Sequence, residues 1–129
     1  VPEARRVLLA EDDRFLRRAA EAGFRQRGFT VLTAEDGEQA LTVARAERPD
    51  VVLLDLIMPK LQGFEVLKAL KQDPATTHIP VIVLSNLSGD QDVSRAMTLG
   101  AVAYFIKAHL SLQELVQKVA DVLAGGAAA

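Results

Sequence analysis

Five short apolar runs punctuate the chain, at Val7-Leu8-Leu9-Ala10, Val31-Leu32, Val51-Val52-Leu53-Leu54, Val81-Ile82-Val83-Leu84 and Tyr104-Phe105-Ile106. Each has the length and the branched composition of a strand. The segments between them carry helical spacing instead. Phe15/Leu16, Ala19/Ala20 and Gly23/Phe24 recur at i, i+4 behind the first run, and Ala40, Leu41 and Ala44 behind the second. Phe64, Leu67 and Leu70 follow the third, Val93, Ala96, Met97 and Gly100 the fourth, and Leu112, Leu115, Val116, Val119 and Leu123 the fifth. Asp36-Gly37 marks the start of the second helix, and Ser111-x-x-Glu114 reads as a capping box for the last. Pro49, Pro74 and Pro80 fall between elements, where a missing N–H is harmless. Strict strand–helix alternation predicts an α/β domain with a parallel sheet covered on both faces. The third and fourth runs, apolar at every position, are what doubly covered strands require.

Composition narrows the class. The 129 residues, 50% hydrophobic and 25% charged, suit one globular domain, read here as residues 1–124 with a flexible tail, linker stub or cloning remnant at 125–129. The absence of cysteine excludes disulfides, thiolate metal sites and cysteine nucleophiles. No apolar run is long enough to span a membrane, and Val1–Arg6 has no long apolar stretch behind it to make a signal peptide. A cytoplasmic protein is expected. Fifteen basic against seventeen acidic residues, a net of −2, give no electrostatic reason to expect direct nucleic-acid binding. Seven of the ten arginines nevertheless precede Thr30, which reads as a solvated, salt-bridged helix face, with kinase or partner docking as the alternative. Met58 and Met97 read as core or loop filling, and His78 and His109 as surface loop residues.

Candidate chemistry collects just after the strands. In an open parallel sheet, sites form beyond the carboxyl ends of the strands. Glu11-Asp12-Asp13 follows the first run, Asp55 the third, Ser85 the fourth and Lys107 the fifth, so all share one rim. Each alone has a bland role: a cap, a turn carboxylate, a turn hydroxyl, a solvated lysine. Together they form an oxygen-rich cluster that needs a proton or cation to offset its charge. Such a donor set suits Mg²⁺, and a carboxylate with a nearby ammonium and hydroxyl suits formation of an aspartyl phosphate.

These motifs resemble the receiver domain of two-component response regulators, including single-domain chemotaxis-type regulators. The resemblance runs from about Val7 to Leu123 and rests on Leu8–Asp13, Val52–Pro59 with Gly63, Pro80–Ser85 and Tyr104–Lys107. It implies a flavodoxin-like (βα)5 fold, five helices flanking a five-stranded sheet of order 2-1-3-4-5. It also implies Asp55 as phosphoacceptor, and a Mg²⁺ site in which Asp12, Asp55 and the backbone carbonyl of Ile57 touch the ion and Glu11 acts through water, with Mn²⁺ as a substitute. Lys107 matches the phosphate-binding lysine, Ser85 the switch hydroxyl and Tyr104 the switch aromatic. Asp13, one place beyond the acidic pair, is left to cap the first helix. The implied partner is a sensor histidine kinase or a histidine phosphotransfer protein. The implied function is a phosphoacceptor switch rather than a turnover enzyme, catalysing only its own phosphorylation and dephosphorylation. Its output face would be the fourth helix, fifth strand and fifth helix. The resemblance is compatible with action alone, with a homodimer through that face, or with a place in a longer regulator.

Three positions depart from the family pattern. Ala108 follows Lys107 where a cis-proline is usual, so this loop is either trans and rerouted or held in a strained bond. Asn86 follows Ser85 where a small residue is common, and Ile57 and Leu87 are apolar two residues beyond Asp55 and Ser85. Neither apolar chain can position a hydrolytic water, which predicts a long-lived phosphoryl group. Rival readings fit less well. A nucleotide-binding domain wants a glycine-rich turn after the first strand, where Glu11-Asp12-Asp13 stands. A haloacid-dehalogenase-type phosphatase wants a second aspartate at position 57, which is isoleucine. A degenerate receiver acting as a phosphorylation-independent interaction module remains the serious alternative.

Overall fold

A computed structural model describes residues 5–125. Its strands are β1 (Arg6–Ala10), β2 (Thr30–Ala34), β3 (Val51–Leu54), β4 (Val81–Ser85) and β5 (Ala103–Ile106). The α-helices between and after them are α1 (Arg14–Gln26), α2 (Gly37–Glu47), α3 (Gly63–Gln72), α4 (Asp90–Thr98) and α5 (Leu112–Leu123). All neighbouring strands are parallel, in the order β2-β1-β3-β4-β5, as the resemblance implied. The expected tail lies outside the described residues except for Gly125.

The sheet separates two hydrophobic layers, and strand periodicity assigns residues to them. Leu8, Ala10, Val52, Leu54, Val81 and Val83 pack with Ala40 and Ala44 of α2, Val66, Leu67 and Leu70 of α3, and Ala96 of α4. Val7, Leu9, Val51, Leu53, Ile82 and Leu84 pack on the other side with Ala20 and Phe24 of α1 and Leu115, Val116 and Val119 of α5. Burial on both faces explains why β3 and β4 read as unbroken apolar runs. β2 reads as a run of only two apolar residues, Val31-Leu32, because it is an edge strand with Thr30 and Thr33 exposed. Several expectations fail on helix phase, and Ala19 and Leu112 are exposed. Phe15 is 87% exposed, since Leu16, Ala20 and Phe24 are the residues turned inward, and Met97 is 44% exposed while its neighbour Ala96 is buried.

The cap residues behave as read. Asp13 Oδ1 accepts from the Phe15 and Leu16 amides at 2.9 and 3.1 Å, and Asp36 Oδ1 from Gln39 N at 2.9 Å. Ser111 and Glu114 exchange both bonds of a capping box. At α3 the entry depends on space instead. A Cβ on Gly63 would lie 2.6 Å from the Asp55 carbonyl oxygen and closer still to the Leu56 backbone. Neither obstacle is a movable side chain. Gly63→Ala is therefore expected to lower stability by about 1–3 kcal/mol or more and to displace the loop after β3, measurable by urea unfolding.

Candidate functional site

Strand register brings the polar residues together. Ala10 pairs with Leu54 across β1 and β3, and Asp55 N donates to Ala10 O at 3.0 Å, so the next residues of the two strands emerge side by side. This is the point where the chain winds to β2 on one side and β3 on the other, the crevice in which open α/β sheets bind ligands. Across β4 and β5, Ser85 pairs with Ile106, which delivers Lys107 to the same rim.

Glu11, Asp12 and Asp55 each place a carboxylate oxygen within 4.8 Å of the others. Glu11 and Asp55 are buried, while Asp12 faces solvent. Lys107 Nζ donates to Asp55 Oδ2 at 2.9 Å and lies 2.6 Å from Glu11 Oε1. The second approach is a close ion pair that engages the buried Oε1. Oε2 accepts from Asp13 N at 3.1 Å. Burial pushes the Glu11 carboxyl up to about 7; contact with Lys107 restrains the rise and the Asp55 charge adds to it. Burial alone would lower the Lys107 ammonium, but its bonds to Glu11 and Asp55 prevail and raise it.

One ammonium between two buried carboxylates, with a third at the mouth, leaves the cluster short of positive charge. The donors are all oxygen, they lie within 4.8 Å of one another, and the exposed Asp12 gives an entry side. Those features fit a hard divalent cation. The backbone amide of Ile57 donates to Asp55 Oδ1 at 3.1 Å, so the loop after β3 wraps the carboxylate while the Ile57 side chain stays 58% exposed.

Ser85 is fully buried, and its Oγ accepts from Leu87 N at 3.2 Å. The half-buried Tyr104 donates its hydroxyl to Leu87 O at 2.6 Å. The two hydroxyls therefore hold the same residue of the β4–α4 loop, one at its amide and one at its carbonyl. Asn86 is exposed. At Ala108 the trans alternative holds. There is no cis peptide among the described residues, and Lys107–His109 form a single 3₁₀ turn. The reroute leaves the ammonium aimed at Asp55. His78 and His109 are exposed as expected.

The sequence reading missed Arg17. It belongs to the arginine-rich stretch read as solvated, yet it is buried, with Nη1 at 2.9 Å from Glu11 O and 3.3 Å from Asp12 O. A signal was present, because Arg17 stands three and seven residues before Ala20 and Phe24, on the buried face of α1. Lys60 was also unremarked. It adopts φ 69° in the β3–α3 connection, with Nζ 3.6 Å from Asp36 Oδ2.

A parallel sheet of order 2-1-3-4-5 with an acidic cluster and a lysine at its switch point is the architecture of a signal receiver domain. Residues 7–120 match the response regulator receiver domain family, and the chain belongs to that family of two-component signalling. It is 39% identical over 114 residues to the gliding motility regulatory protein of Myxococcus xanthus, covering 88% of this chain and 15% of the relative. The receiver domain of the Francisella response regulator 1452 superposes with a TM-score of 0.86 at 29% identity, over 94% of this chain and 98% of that one. The Mn²⁺-bound form of response regulator Rcp1 gives a TM-score of 0.82 at 28% identity, over 91% and 92%. The chain spans 15–48% of the length of the curated relatives it matches here. Among the described residues, no helix is long and apolar enough to cross a membrane.

Proposed function

We propose that this receiver accepts a phosphoryl group on Asp55 from a phosphohistidine of a sensor histidine kinase or histidine phosphotransfer protein. The observation that carries the reading is the joint contact of Lys107 with Asp55 and Glu11, beside the exposed Asp12. An Asp55 carboxylate oxygen forms the new O–P bond as the P–N bond breaks. The leaving imidazole nitrogen keeps the electron pair and takes up a proton. Lys107 supplies positive charge to a phosphoryl oxygen, and the Ser85 hydroxyl turns from the Leu87 amide to donate to another. Glu11, Asp12, Asp55 and the Ile57 carbonyl would hold Mg²⁺, or Mn²⁺ in its place, the ion bound to the related Rcp1. When bound, the ion supplies charge neutralisation between the carboxylates and the incoming phosphoryl oxygens.

Movement of Ser85 alters the loop that Tyr104 also holds, so phosphorylation is transmitted to the face of α4, β5 and α5. The protein acts as a switch that catalyses its own modification. Beryllofluoride, a phosphoryl mimic, is expected to bind in a Mg²⁺-dependent manner to the native chain and not to Asp55→Asn. Failure of the native chain to bind it would favour the phosphorylation-independent interaction module.

The apolar Ile57 and Leu87 flank the site without a group to orient water. Replacing them by glutamate and lysine is expected to speed spontaneous loss of the phosphoryl group by roughly tenfold, a modest share of what a positioned proton acceptor contributes. Decay followed by intact mass decides; equal lifetimes would contradict the assignment.

A further inference from the structure

Arg17 is an arginine buried in a helix, a placement that demands partners. Its side chain is 11% exposed, and the guanidinium Nη2 lies 3.0 Å from Glu35 Oε1. Glu35 is 61% exposed, so solvent screens that pair and it is a weak reason for the burial. The buried partners are main-chain oxygens. Nη1 donates to the carbonyls of Glu11 and Asp12, the two residues that carry the acidic pair. One planar fork thus joins the β1–α1 loop to the β2–α2 loop, a geometry that a lysine ammonium does not reproduce.

These bonds fix the two peptide planes from which the Glu11 and Asp12 side chains depart. Glu11 is further held by the Asp13 amide on Oε2, and Asp13 is itself tied to α1 as its cap. Asp12 has no comparable side-chain restraint among the described residues, since none of the hydrogen bonds or ion pairs involves its carboxylate. Its position relative to Asp55 therefore depends on its backbone, which is held by Arg17 together with the Glu11 amide on Ala34 O and the Asp13 cap of α1.

We infer that Arg17 is a positioning residue, holding the acidic pair in the arrangement that binds a divalent cation. The inference rests on the metal reading of the site given above. Electrostatics makes it testable by sign. A fixed guanidinium near a cation site repels the cation, so a purely Coulombic role predicts tighter binding once the charge is removed. Positioning predicts the opposite, because residues that orient ligands typically set affinity by about 10- to 100-fold.

The experiment is calorimetric titration of Mg²⁺ into the full chain, well below the unfolding temperature, with native protein, Arg17→Gln, Arg17→Lys and Arg25→Gln. Folding of each is checked by circular dichroism without metal. Among the described residues Arg25 pairs only with Glu21, on the surface of the same helix, and it serves as the charge control. Arg17→Gln is expected to weaken binding by about 10- to 100-fold. Arg17→Lys, which keeps the charge and loses the fork, should weaken it several-fold, and it decides the matter if Arg17→Gln does not fold. Arg25→Gln should stay within about twofold of native. Unchanged or tighter binding in the folded Arg17 variants would overturn the inference while leaving the metal site intact. Absence of Mg²⁺ binding by the native chain would overturn the metal reading and the inference with it.

Discussion

Replacing Lys107 by methionine is expected to cost the metal-free protein roughly 2–4 kcal/mol at pH 8, the order found when one partner of a buried ion pair is removed. Among the described residues the ammonium is the one cation touching both Glu11 and Asp55, and both carboxylates are buried. Without it, two negative charges share a crowded rim. The cost should shrink at pH 5, where Glu11 is protonated in both proteins and only the Asp55 contact is lost. Urea unfolding at the two pH values measures this. The same variant should bind Mg²⁺ more tightly than native protein, because no resident cation competes for the carboxylates. A loss equal at both pH values would show that Lys107 stabilises by packing rather than by charge.

The second large effect belongs to Glu11. Its folded pKa is about 7 against an ordinary 4.5. A carboxylate shifted upward gives stability that is complete below the unfolded value and disappears as pH rises through the folded one. Metal-free native protein should therefore lose roughly 2–4 kcal/mol between about pH 4.5 and pH 8 from this group. Glu11→Gln keeps the shape without the charge. It should flatten that decline and be the more stable protein at pH 8 by roughly the same 2–4 kcal/mol, since the raised pKa already sets the Lys107 contact against burial. Asp12→Ala acts on an exposed carboxylate and should stabilise less. Both variants should forfeit the stabilisation that Mg²⁺ gives the native chain, about 2.7 kcal/mol at a hundredfold excess over Kd. A native melting temperature indifferent to millimolar Mg²⁺ would contradict the metal site, as would parallel pH profiles for native protein and Glu11→Gln.

Much of this architecture was legible before any coordinates. Doubly covered strands announce themselves by unbroken apolar runs, so β3 and β4 were plain, and Asp13, Asp36 and Ser111 are caps whose chemistry is local. The shared rim of Glu11, Asp12, Asp55, Ser85 and Lys107 followed from each residue standing at or just beyond the carboxyl end of an apolar run. Strand order did not follow from alternation, and it came from the resemblance to receivers. What stayed hidden depended on helix phase and on long-range contact. Phe15 and Leu16 are adjacent and equally apolar, yet only Leu16 turns toward the core. Arg17 looked like its solvated neighbours Arg14 and Arg18 because the carbonyls it serves carry no mark in a sequence. The loop at Ala108 could not be chosen from composition. Its 3₁₀ turn shows that Lys107 reaches Asp55 without proline.

The central claim is that Asp55 is the phosphoacceptor. Intact mass after incubation with acetyl phosphate and Mg²⁺ tests it directly, with Asp55→Asn and omission of Mg²⁺ as controls. The native chain should gain the mass of one phosphoryl group, Asp55→Asn should gain none, and leaving out Mg²⁺ should suppress the gain. No mass increase in the native protein, or an equal increase in Asp55→Asn, would contradict the account.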